Sequence, residues 1–425
     1  MPELSFTDAD LRAGVAATEL IAQPASWIHR RVETVQLLTH EETRRQVSVD
    51  FTLSIDVEHD LSTADGVVIP ISILTKEARR NFDLRNEAGA AVPVLGKAAN
   101  GHLAHIAVLS AALDALPEDT SDDAFELIAG DLGQIVNSSP GEGEEALAVL
   151  AGGAQAGNPL RAAVWKDDLC REMLRVLSTN YVLFAVLPPG GARRRILKYS
   201  YSDDLERINV PWRERLRPSW IWLRARSPDR GRFFVRCPGA DRAASFHAEI
   251  AIPEELRIET AVLYDFDADV QLSEANENVN RASLYASEPI DPHGDVNAYL
   301  EIVAERRGKP SLAASTAVAV CALLWLGVAS GLDSENPGPA VSLLLAAAAV
   351  FSGLSAVNAE HSLVTQLFSK SKRWLALVAV AALAASASLA MEIPCSHPVG
   401  IWRIAAISVS FAAARLLWSA VRSAR

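Results

Sequence analysis

Hydrophobic and polar residues alternate along residues 44–57, where the sequence reads RRQVSVDFTLSIDV. The apolar positions are expected on one face and the polar positions on the other: Val47, Val49, Phe51, Leu53 and Ile55 against Gln46, Ser48, Asp50, Thr52 and Ser54. A period of two residues is typical of a strand that buries one face only. Residues 31–38 predict a neighbouring strand, and residues 82–95 predict a hairpin around a polar turn that ends at glycine.

The period changes to that of a helix between residues 98 and 180. Four segments predict helices: 103–116, 121–136, 144–153 and 165–177. The apolar side chains of the first, second and fourth follow helical spacing, and the third ends at glycine. In the second segment Thr120 is placed to cap the helix, and one stripe is expected to be buried: Phe125, Ile128, Leu132 and Ile135. The last segment is expected to bury Trp165, Leu169, Met173 and Val176. This region is therefore interpreted as a helical insertion.

Strand patterns resume at 245–253, 257–266 and 295–305. Phe246, Ala248, Ile250 and Ile252 are expected to face inward in the first of these. Recurring strands with one wet face favour an α+β fold whose β-rich region is an antiparallel β-sandwich. The predicted units are a β-rich part over 1–97, the helical insertion over 98–180 and a second β-rich part over 181–309, which forms one sandwich with the first part or packs on it.

Long apolar runs with almost no acidic residues begin after Pro310. A helix needs ~20 apolar residues to cross the hydrocarbon core of a bilayer. Residues 310–425 therefore predict a four-helix transmembrane domain, with helices at 311–332, 340–357, 374–391 and 399–421. Small residues such as Gly327 and Gly331 are expected to let these helices approach closely, within one chain or between chains of a homo-oligomer.

Basic residues occupy alternate loops between these runs. They precede the first run, separate the second from the third and follow the fourth: Arg306, Arg307, Lys309, Lys370, Lys372, Arg373, Arg422 and Arg425. Because cytoplasmic loops carry the excess of Lys and Arg, the expected localisation is the cell inner membrane, multi-pass, with both termini cytoplasmic. Arg403 and Arg415 in the fourth run are expected to reach the headgroups, with Trp402 and Trp418 at the interfaces.

The composition and the cysteine spacing indicate the cellular compartment. The chain has 425 residues, a formal net charge of −12 and a hydrophobic share of 50%. Residues 1–20 carry acidic residues and no apolar core, so a secretory signal is not expected there. The cysteines form no metal-like or disulfide-like spacing and are expected to be reduced thiols that pack as small apolar groups: Cys170, Cys237, Cys321 and Cys395.

One segment has the opposite charge to the rest of the chain. Between Arg193 and Arg236 the sequence contains twelve Arg and one Lys against five acidic residues, a net charge of +8. Within PSWIWLRARSPDRGRFFVRC (218–237), alternation places Ile221, Leu223 and Ala225 on one strand face, and Trp220, Trp222, Arg224 and Arg226 on the other. Such a patch inside an acidic protein suggests a binding role.

Three interpretations of this basic segment stay open. The arginines pair with acidic residues of the same protein, or the surface meets the inner leaflet, where tryptophan and basic residues are favoured. In the third, guanidinium groups bind an anionic ligand such as a nucleotide. The ligand hypotheses assign nine residues to the candidate site: Arg193, Arg194, Arg195, Trp220, Trp222, Arg224, Arg226, Arg232 and Arg236.

Three other sequence motifs do not meet the requirements of the metal or phosphate sites that they resemble. Asp265-x-Asp267-x-Asp269 resembles the start of a calcium loop, but Val270 replaces the required glycine and Asn276 replaces the bidentate glutamate. His102 and His105 lack a third ligand nearby in sequence, so no metal site is predicted. The glycines after Ser139 follow no strand and lie among glutamates, which argues against a phosphate loop. No catalytic motif stands out, and no cofactor is expected.

SFHAEIAIPEELRIETAVLYDF (245–266) and RASLYASEPI (281–290), followed by a strand and a basic stop, resemble uncharacterised bacterial multi-pass membrane proteins with a cytoplasmic β-rich domain, of the conflict or defence type. The resemblance implies no catalytic residue. The expected function is sensing or binding of an anionic lipid headgroup or nucleotide, coupled to the membrane helices. A pore-forming or membrane-perturbing effector and an unrecognised lipid- or nucleotide-acting enzyme are the alternatives; nucleic acid is not an expected partner.

Overall fold

A computed structural model describes the chain over residues 7–39, 42–76, 80–117, 120–190, 193–204, 231–275, 280–287, 290, 296–304, 309–329, 346, 369–390 and 398–423. Its fold is mixed α/β. The described residues contain eleven helices and three sheets of six, four and three strands.

The first half of the chain alternates strands with short helices and then forms five helices in succession. The elements are α1 (Asp8–Ala22), α2 (Pro24–Trp27), β1 (Ile28–Leu37), β2 (Glu42–Thr52), α3 (Ile55–Asp60), β3 (Ser62–Thr63), β4 (Gly66–Thr75), β5 (Arg80–Asn86), α4 (Lys97–Ala115), α5 (Asp122–Asn137), α6 (Pro140–Gln155), α7 (Pro159–Lys166) and α8 (Asp168–Thr179). Polar caps explain several helix starts. Thr7 and Asp10 form a capping box at α1, and the Asp167 carboxylate accepts from the Cys170 amide at α8.

The second half is dominated by strands until residue 304 and by helices afterwards. Its elements are β6 (Asn180–Leu187), β7 (Arg194–Asp204), β8 (Gly231–Arg236), β9 (Phe246–Ala251), β10 (Leu256–Asp265), β11 (Val270–Ala275), β12 (Arg281–Ala286), β13 (Val296–Ala304), α9 (Lys309–Ala329), α10 (Ser369–Ala390) and α11 (Pro398–Ser423).

The largest sheet combines strands from both halves of the chain in the order β12-β9-β1-β2-β7-β5. Strand β1 pairs antiparallel with β2 and parallel with β9, with Arg31 opposite Phe246. The other sheets have the orders β11-β10-β13-β8 and β3-β4-β6. The expected antiparallel β-sandwich is therefore wrong. A period of two identifies the buried face of a strand but not its neighbour, and here the neighbour of β1 is a parallel strand far along the chain.

One face of the six-stranded sheet is buried under two apolar clusters. The first cluster joins β2 and β7 to α1, the small sheet and helices α4–α8, through residues such as Phe51, Phe184 and Leu132. The second joins the end of β1, β9 and β12 to the four-stranded sheet, through residues such as Phe246 and Leu300. The core therefore has two apolar parts along one sheet face.

Helices α9, α10 and α11 pack on one another around a third apolar cluster built largely from alanine. Trp402 is fully buried there, because Gly327 leaves room for its ring. A Cβ added at position 327 would lie 2.3 Å from Cζ3 of Trp402. Trp402 is thus a packing residue, and its expected place at the membrane interface is wrong.

The expected four-helix transmembrane domain is wrong as well. Among the described residues one helix is long and apolar enough to cross a membrane, Gly400–Trp418, and Ala313–Ala329 is a shorter apolar helix. The second expected run, 340–357, lies outside the described residues apart from Ala346.

This finding also corrects the expected localisation. Among the described residues, at most one helix is a candidate for crossing a membrane. This does not fit the expected multi-pass protein of the inner membrane with both termini cytoplasmic, so that expectation is wrong.

Candidate functional site

The arginines at the start of β7 pair with acidic side chains. The guanidinium of Arg194 donates to both carboxylate oxygens of Asp50 on β2, at 2.9 and 2.5 Å. Nη2 of Arg195 donates to Oε1 of Glu58 on α3 at 2.7 Å. Hydrogen bonds from Arg194 lower the pKa of Asp50. Arg193 is exposed in the turn before β7. These contacts agree with the interpretation in which arginines pair within the protein.

The two candidate arginines of β8 belong to a different sheet. Nε of Arg232 lies 3.6 Å from Oε1 of Glu301, its cross-strand neighbour on β13. The side chain of Arg236 is exposed, and its main-chain carbonyl accepts a hydrogen bond from Nη1 of Arg45 at 2.8 Å. Arg194 and Arg195 lie on the six-stranded sheet, whereas Arg232 and Arg236 lie on the four-stranded sheet. The described candidate residues are therefore distributed over two sheets.

The centre of the predicted surface, Trp220, Trp222, Arg224 and Arg226, lies outside the described residues. Its role stays a prediction. In the described residues that follow, Val235 and Cys237 are buried, and Phe233 packs against the second apolar cluster. Buried and less buried side chains therefore alternate along β8 and into Cys237.

A charged network that sequence reasoning missed lies between the two apolar clusters on the buried sheet face. Arg31 and Glu33 on β1 and Arg45 on β2 are all buried. Nη1 of Arg45 donates to Oε1 of Glu33, and Nη2 of Arg31 lies 3.9 Å from Oε2 of Glu33. Asp203 on β7 places Oδ2 3.4 Å from Nε of Arg45. Two guanidinium groups and two carboxylates thus meet inside the protein.

Hydroxyl and carbonyl groups extend this network. Nη2 of Arg31 donates to the hydroxyl of Tyr199 at 3.0 Å and to the carbonyl of Pro238 at 3.1 Å. The Tyr199 hydroxyl donates in turn to Oγ of Ser72 at 2.8 Å. The network therefore ties β1 to β7, to β4 and to the connection between β8 and β9.

Burial and pairing set the ionisation of these groups. Burial alone lowers the pKa of Arg45, but the Glu33 carboxylate, with smaller contributions from Tyr201, Cys237 and Asp203, outweighs burial and raises this pKa above its usual value. Burial raises the pKa of the Cys237 thiol to about 12. Within the described residues, Nε of Arg31, Oε2 of Glu33 and Nε of Arg45 have no hydrogen-bond partner. Because Arg31, Glu33 and Arg45 are at most 4% exposed, the network is a buried structural feature rather than a surface that a ligand reaches.

An open cavity of about 600 Å³ lies beside this network. Its walls come from the end of α1 and from α2, from Ile73 on β4, from one face of α8, from Ile290 and from the β8–β9 connection. The walls are mainly apolar, and four charged side chains line them: Asp168, Glu172, Asp241 and Arg242. Sequence reasoning missed this cavity because its walls are far apart in the chain.

Gly239 determines how the β8–β9 connection presents Arg242. The residue has a φ of +84°, which favours glycine, and an added Cβ would lie 3.1 Å from Cζ of Arg31 and 3.3 Å from Cδ of Arg242. The turn therefore passes between the two arginines. Arg31 points into the charged network, and Arg242 lines the cavity.

The other sequence motifs have structural roles where they are described. Oδ1 of Asp265 accepts from the amides of Asp267 and Ala268 in the turn between β10 and β11. The ring of His105 is buried, and its Nε2 lies 2.8 Å from the carbonyl oxygen of Ala129. Within the described part of the chain, no group of three or more His, Cys, Asp or Glu residues lies close enough to hold a metal ion.

No protein-family model matches the chain, and no curated protein matches it significantly. The site residues above therefore carry the functional argument alone. The cavity can exclude part of the water from an apolar molecule and can offer a guanidinium to an anionic group.

Proposed function

We propose that the protein is a membrane-associated binding protein. Helices α9, α10 and α11 contact a lipid bilayer through their outer faces, and the mixed α/β part that precedes them carries the ligand-binding surfaces. The observation that carries this proposal is the distribution of apolar side chains on these three helices.

The inner faces of the helices hold mostly small buried residues, such as Ala317, Ala382 and Ala406. The outer faces hold large apolar side chains that are about half exposed or more: Trp325 at 45%, Leu326 at 65%, Val380 at 63%, Ile404 at 68%, Ile407 at 60%, Phe411 at 55% and Trp418 at 55%. Soluble monomers rarely expose contiguous apolar patches larger than a few hundred Å². A bilayer would cover such a face on several helices at once.

The length and charges of α11 support the same environment. The 26 residues of Pro398–Ser423 extend about 39 Å at 1.5 Å per residue, against a bilayer core of about 30 Å. Within the apolar stretch Gly400–Trp418, only 39% of the length is buried inside the protein. Arg403 and Arg415 lie near its two ends and are exposed, so their long side chains can reach the headgroups.

Flotation of the full-length protein with lipid vesicles tests the proposal. One set of vesicles contains phosphatidylcholine alone, and a second contains a quarter of phosphatidylglycerol. We expect the protein to float with both sets. Stronger flotation with the anionic set would indicate recognition of the headgroup, which is one of the expected partners.

The decisive variant replaces Ile404, Ile407 and Phe411 by glutamate, and it is expected to lose at least 90% of the flotation because charged side chains are costly in a bilayer. The matched control carries the same replacement by glutamate at Val15, Leu127 and Val149, which are 60%, 54% and 55% exposed on helices α1, α5 and α6. Circular dichroism checks that both variants fold. Equal flotation of the two variants, or self-association of the wild-type protein without binding to vesicles, would contradict the proposal.

A further inference from the structure

We propose that the cavity between α1–α2, α8 and the β8–β9 connection binds a small amphipathic monocarboxylate, whose carboxylate is held by the guanidinium of Arg242. The inference concerns residues outside the membrane-facing helices, so it stands or falls independently of the membrane association proposed above.

The apolar walls determine the body of the ligand. Ile21, Ile73, Met173, Val176 and Ile290 line the cavity from four separate elements. Its volume of about 600 Å³ lies within the range of about 300–1,000 Å³ that is usual for small-molecule sites. A ring or a short hydrocarbon chain would therefore be removed from water on several sides.

Arg242 is available to the ligand. Within the described residues no side-chain acceptor is shown for the Arg242 guanidinium, and the neighbouring Asp241 carboxylate acts on it electrostatically. Its neighbour Arg31, by contrast, is held by Tyr199 and by the Pro238 carbonyl. A guanidinium with free N–H groups matches a carboxylate with two parallel hydrogen bonds.

The electrostatic setting of Arg242 favours an added anion. Burial lowers the pKa of Arg242, and the positive charge of Arg31 lowers it further, while Asp241 acts in the opposite direction. A bound carboxylate would stabilise the charged guanidinium in this partly buried position.

The acidic residues of the cavity restrict the charge of the ligand. Asp168 pairs with Arg171, and Oε1 of Glu172 accepts from Nη1 of Arg175 at 2.6 Å, so both carboxylates already have partners on α8. Asp241 is next to Arg242 and lines the same cavity. With Asp168 and Glu172 paired, the lining offers one guanidinium, which matches the single charge of a monocarboxylate better than the several charges of a polyphosphate. The class is therefore a monocarboxylate and not a nucleotide.

Isothermal titration of the full-length protein in a mild detergent solution, with the detergent solution alone as the blank, tests this site without a bilayer. The probe is 3-phenylpropionate, which is small, apolar and monoanionic. We expect saturable binding of one molecule per chain. The uncharged analogue 3-phenylpropanol and the cationic analogue 3-phenylpropylamine are expected to bind at least tenfold more weakly, and ATP is expected not to compete.

Variants test the contribution of the Arg242 charge and the contribution of the cavity volume separately. Arg242→Gln is expected to weaken binding at least tenfold, and Arg242→Lys to weaken it less, because lysine keeps the charge but not the fork. Asp241→Asn is expected to strengthen binding, because it removes a nearby negative charge. Val176→Trp, which fills the cavity from α8, is expected to abolish binding. Arg44→Gln, on an exposed position of β2, is the matched control and is expected to bind like the wild type.

Several results would overturn the proposal. They are a lack of saturable binding in the millimolar range, equal binding of the acid and the alcohol, and unchanged binding of the acid by Arg242→Gln or Val176→Trp. If Arg242→Gln does not fold, the opposite responses expected of Asp241→Asn and Val176→Trp still decide the question. Loss of vesicle flotation with intact binding of 3-phenylpropionate would reject the membrane proposal alone.

Discussion

The six-stranded sheet and the three C-terminal helices distribute polarity in opposite ways. The sheet buries Arg31, Glu33 and Arg45 between two apolar clusters, where a core would ordinarily be apolar. The helices bury mostly small side chains and expose large apolar ones such as Ile404 and Phe411. The difference teaches that hydrophobicity alone does not place a residue. Charges can be buried when they neutralise one another, and apolar side chains can face outward, which is the arrangement that a bilayer would favour under the membrane proposal.

The largest effect is expected from breaking the charge balance of the sheet. Glu33→Ala leaves two buried guanidinium groups without their shared carboxylate, and it should lower the free energy of opening of β1 and β2 by about 3–5 kcal/mol. Hydrogen exchange measured by mass spectrometry on peptides from both strands reports this free energy. The control, Asp83→Asn, breaks the exposed Asp83–Arg85 pair and should leave exchange in β1 and β2 unchanged. Similar exchange in both variants would show that the buried network contributes little.

A smaller effect is expected from overfilling the helical cluster. Gly327→Ala places a methyl group 2.3 Å from Cζ3 of Trp402, so α9 and α11 must separate. The expected cost is about 1–3 kcal/mol, seen as faster hydrogen exchange in these two helices but not in the sheet. Gly130→Ala on α5 is the matched control, because an added Cβ there meets nothing within 4 Å, and it should slow exchange slightly. The double variant Gly327→Ala with Trp402→Leu should recover most of the loss, and a failure to recover would argue against the contact.

The smallest effect is expected from chemical labelling of two buried cysteines, which tests their burial without changing a residue in either region. Burial raises the pKa of Cys170 and of Cys237 to about 12. Both thiols therefore stay protonated at pH 8 in the folded protein, and only the thiolate reacts with iodoacetamide. We expect negligible labelling of both cysteines by mass spectrometry in the native protein and complete labelling in urea. Rapid native labelling of Cys237 would show that the sheet face opens near the charged network.

Local patterns predicted single elements well. Three of the four residues of the stripe expected on 121–136 are buried in α5, namely Ile128, Leu132 and Ile135, and Phe125 is half-buried. The strand expected over 44–57 is present as β2 but ends at Thr52, because Ser54 accepts from the Val57 amide and starts α3. Ile55 is consequently 64% exposed rather than buried. A side-chain cap that competes with the strand pattern explains this error.

Arrangements that depend on distant residues could not be predicted in the same way. The buried network did leave a signal, since Arg31 and Glu33 have the same parity as Val35, and Arg45 has the same parity as Val47. Opposite charges on the apolar parity of two neighbouring strands could have suggested a buried pair. The cavity left no such signal in the sequence, because Arg242, Val176 and Ile290 are far apart in the chain and come together only in the folded protein. Charge alone does not distinguish Arg194, which pairs with Asp50, from Arg242, for which the described residues show no comparable two-bond pair.

The parallel pairing of β1 with β9 has a consequence for the order in which the protein folds during its synthesis. Arg31 lies opposite Phe246, so β1 waits for some 200 residues before this neighbour exists, or on the order of 10–40 s at ~5–20 residues per second. Strand β2 covers one edge of β1 almost at once, while the other edge stays unpaired on the ribosome. That edge belongs to a strand with Arg30, Arg31 and Glu33 in sequence, and such charges discourage pairing with a foreign strand. The residues that later balance one another inside the sheet can thus protect the nascent chain from aggregation first.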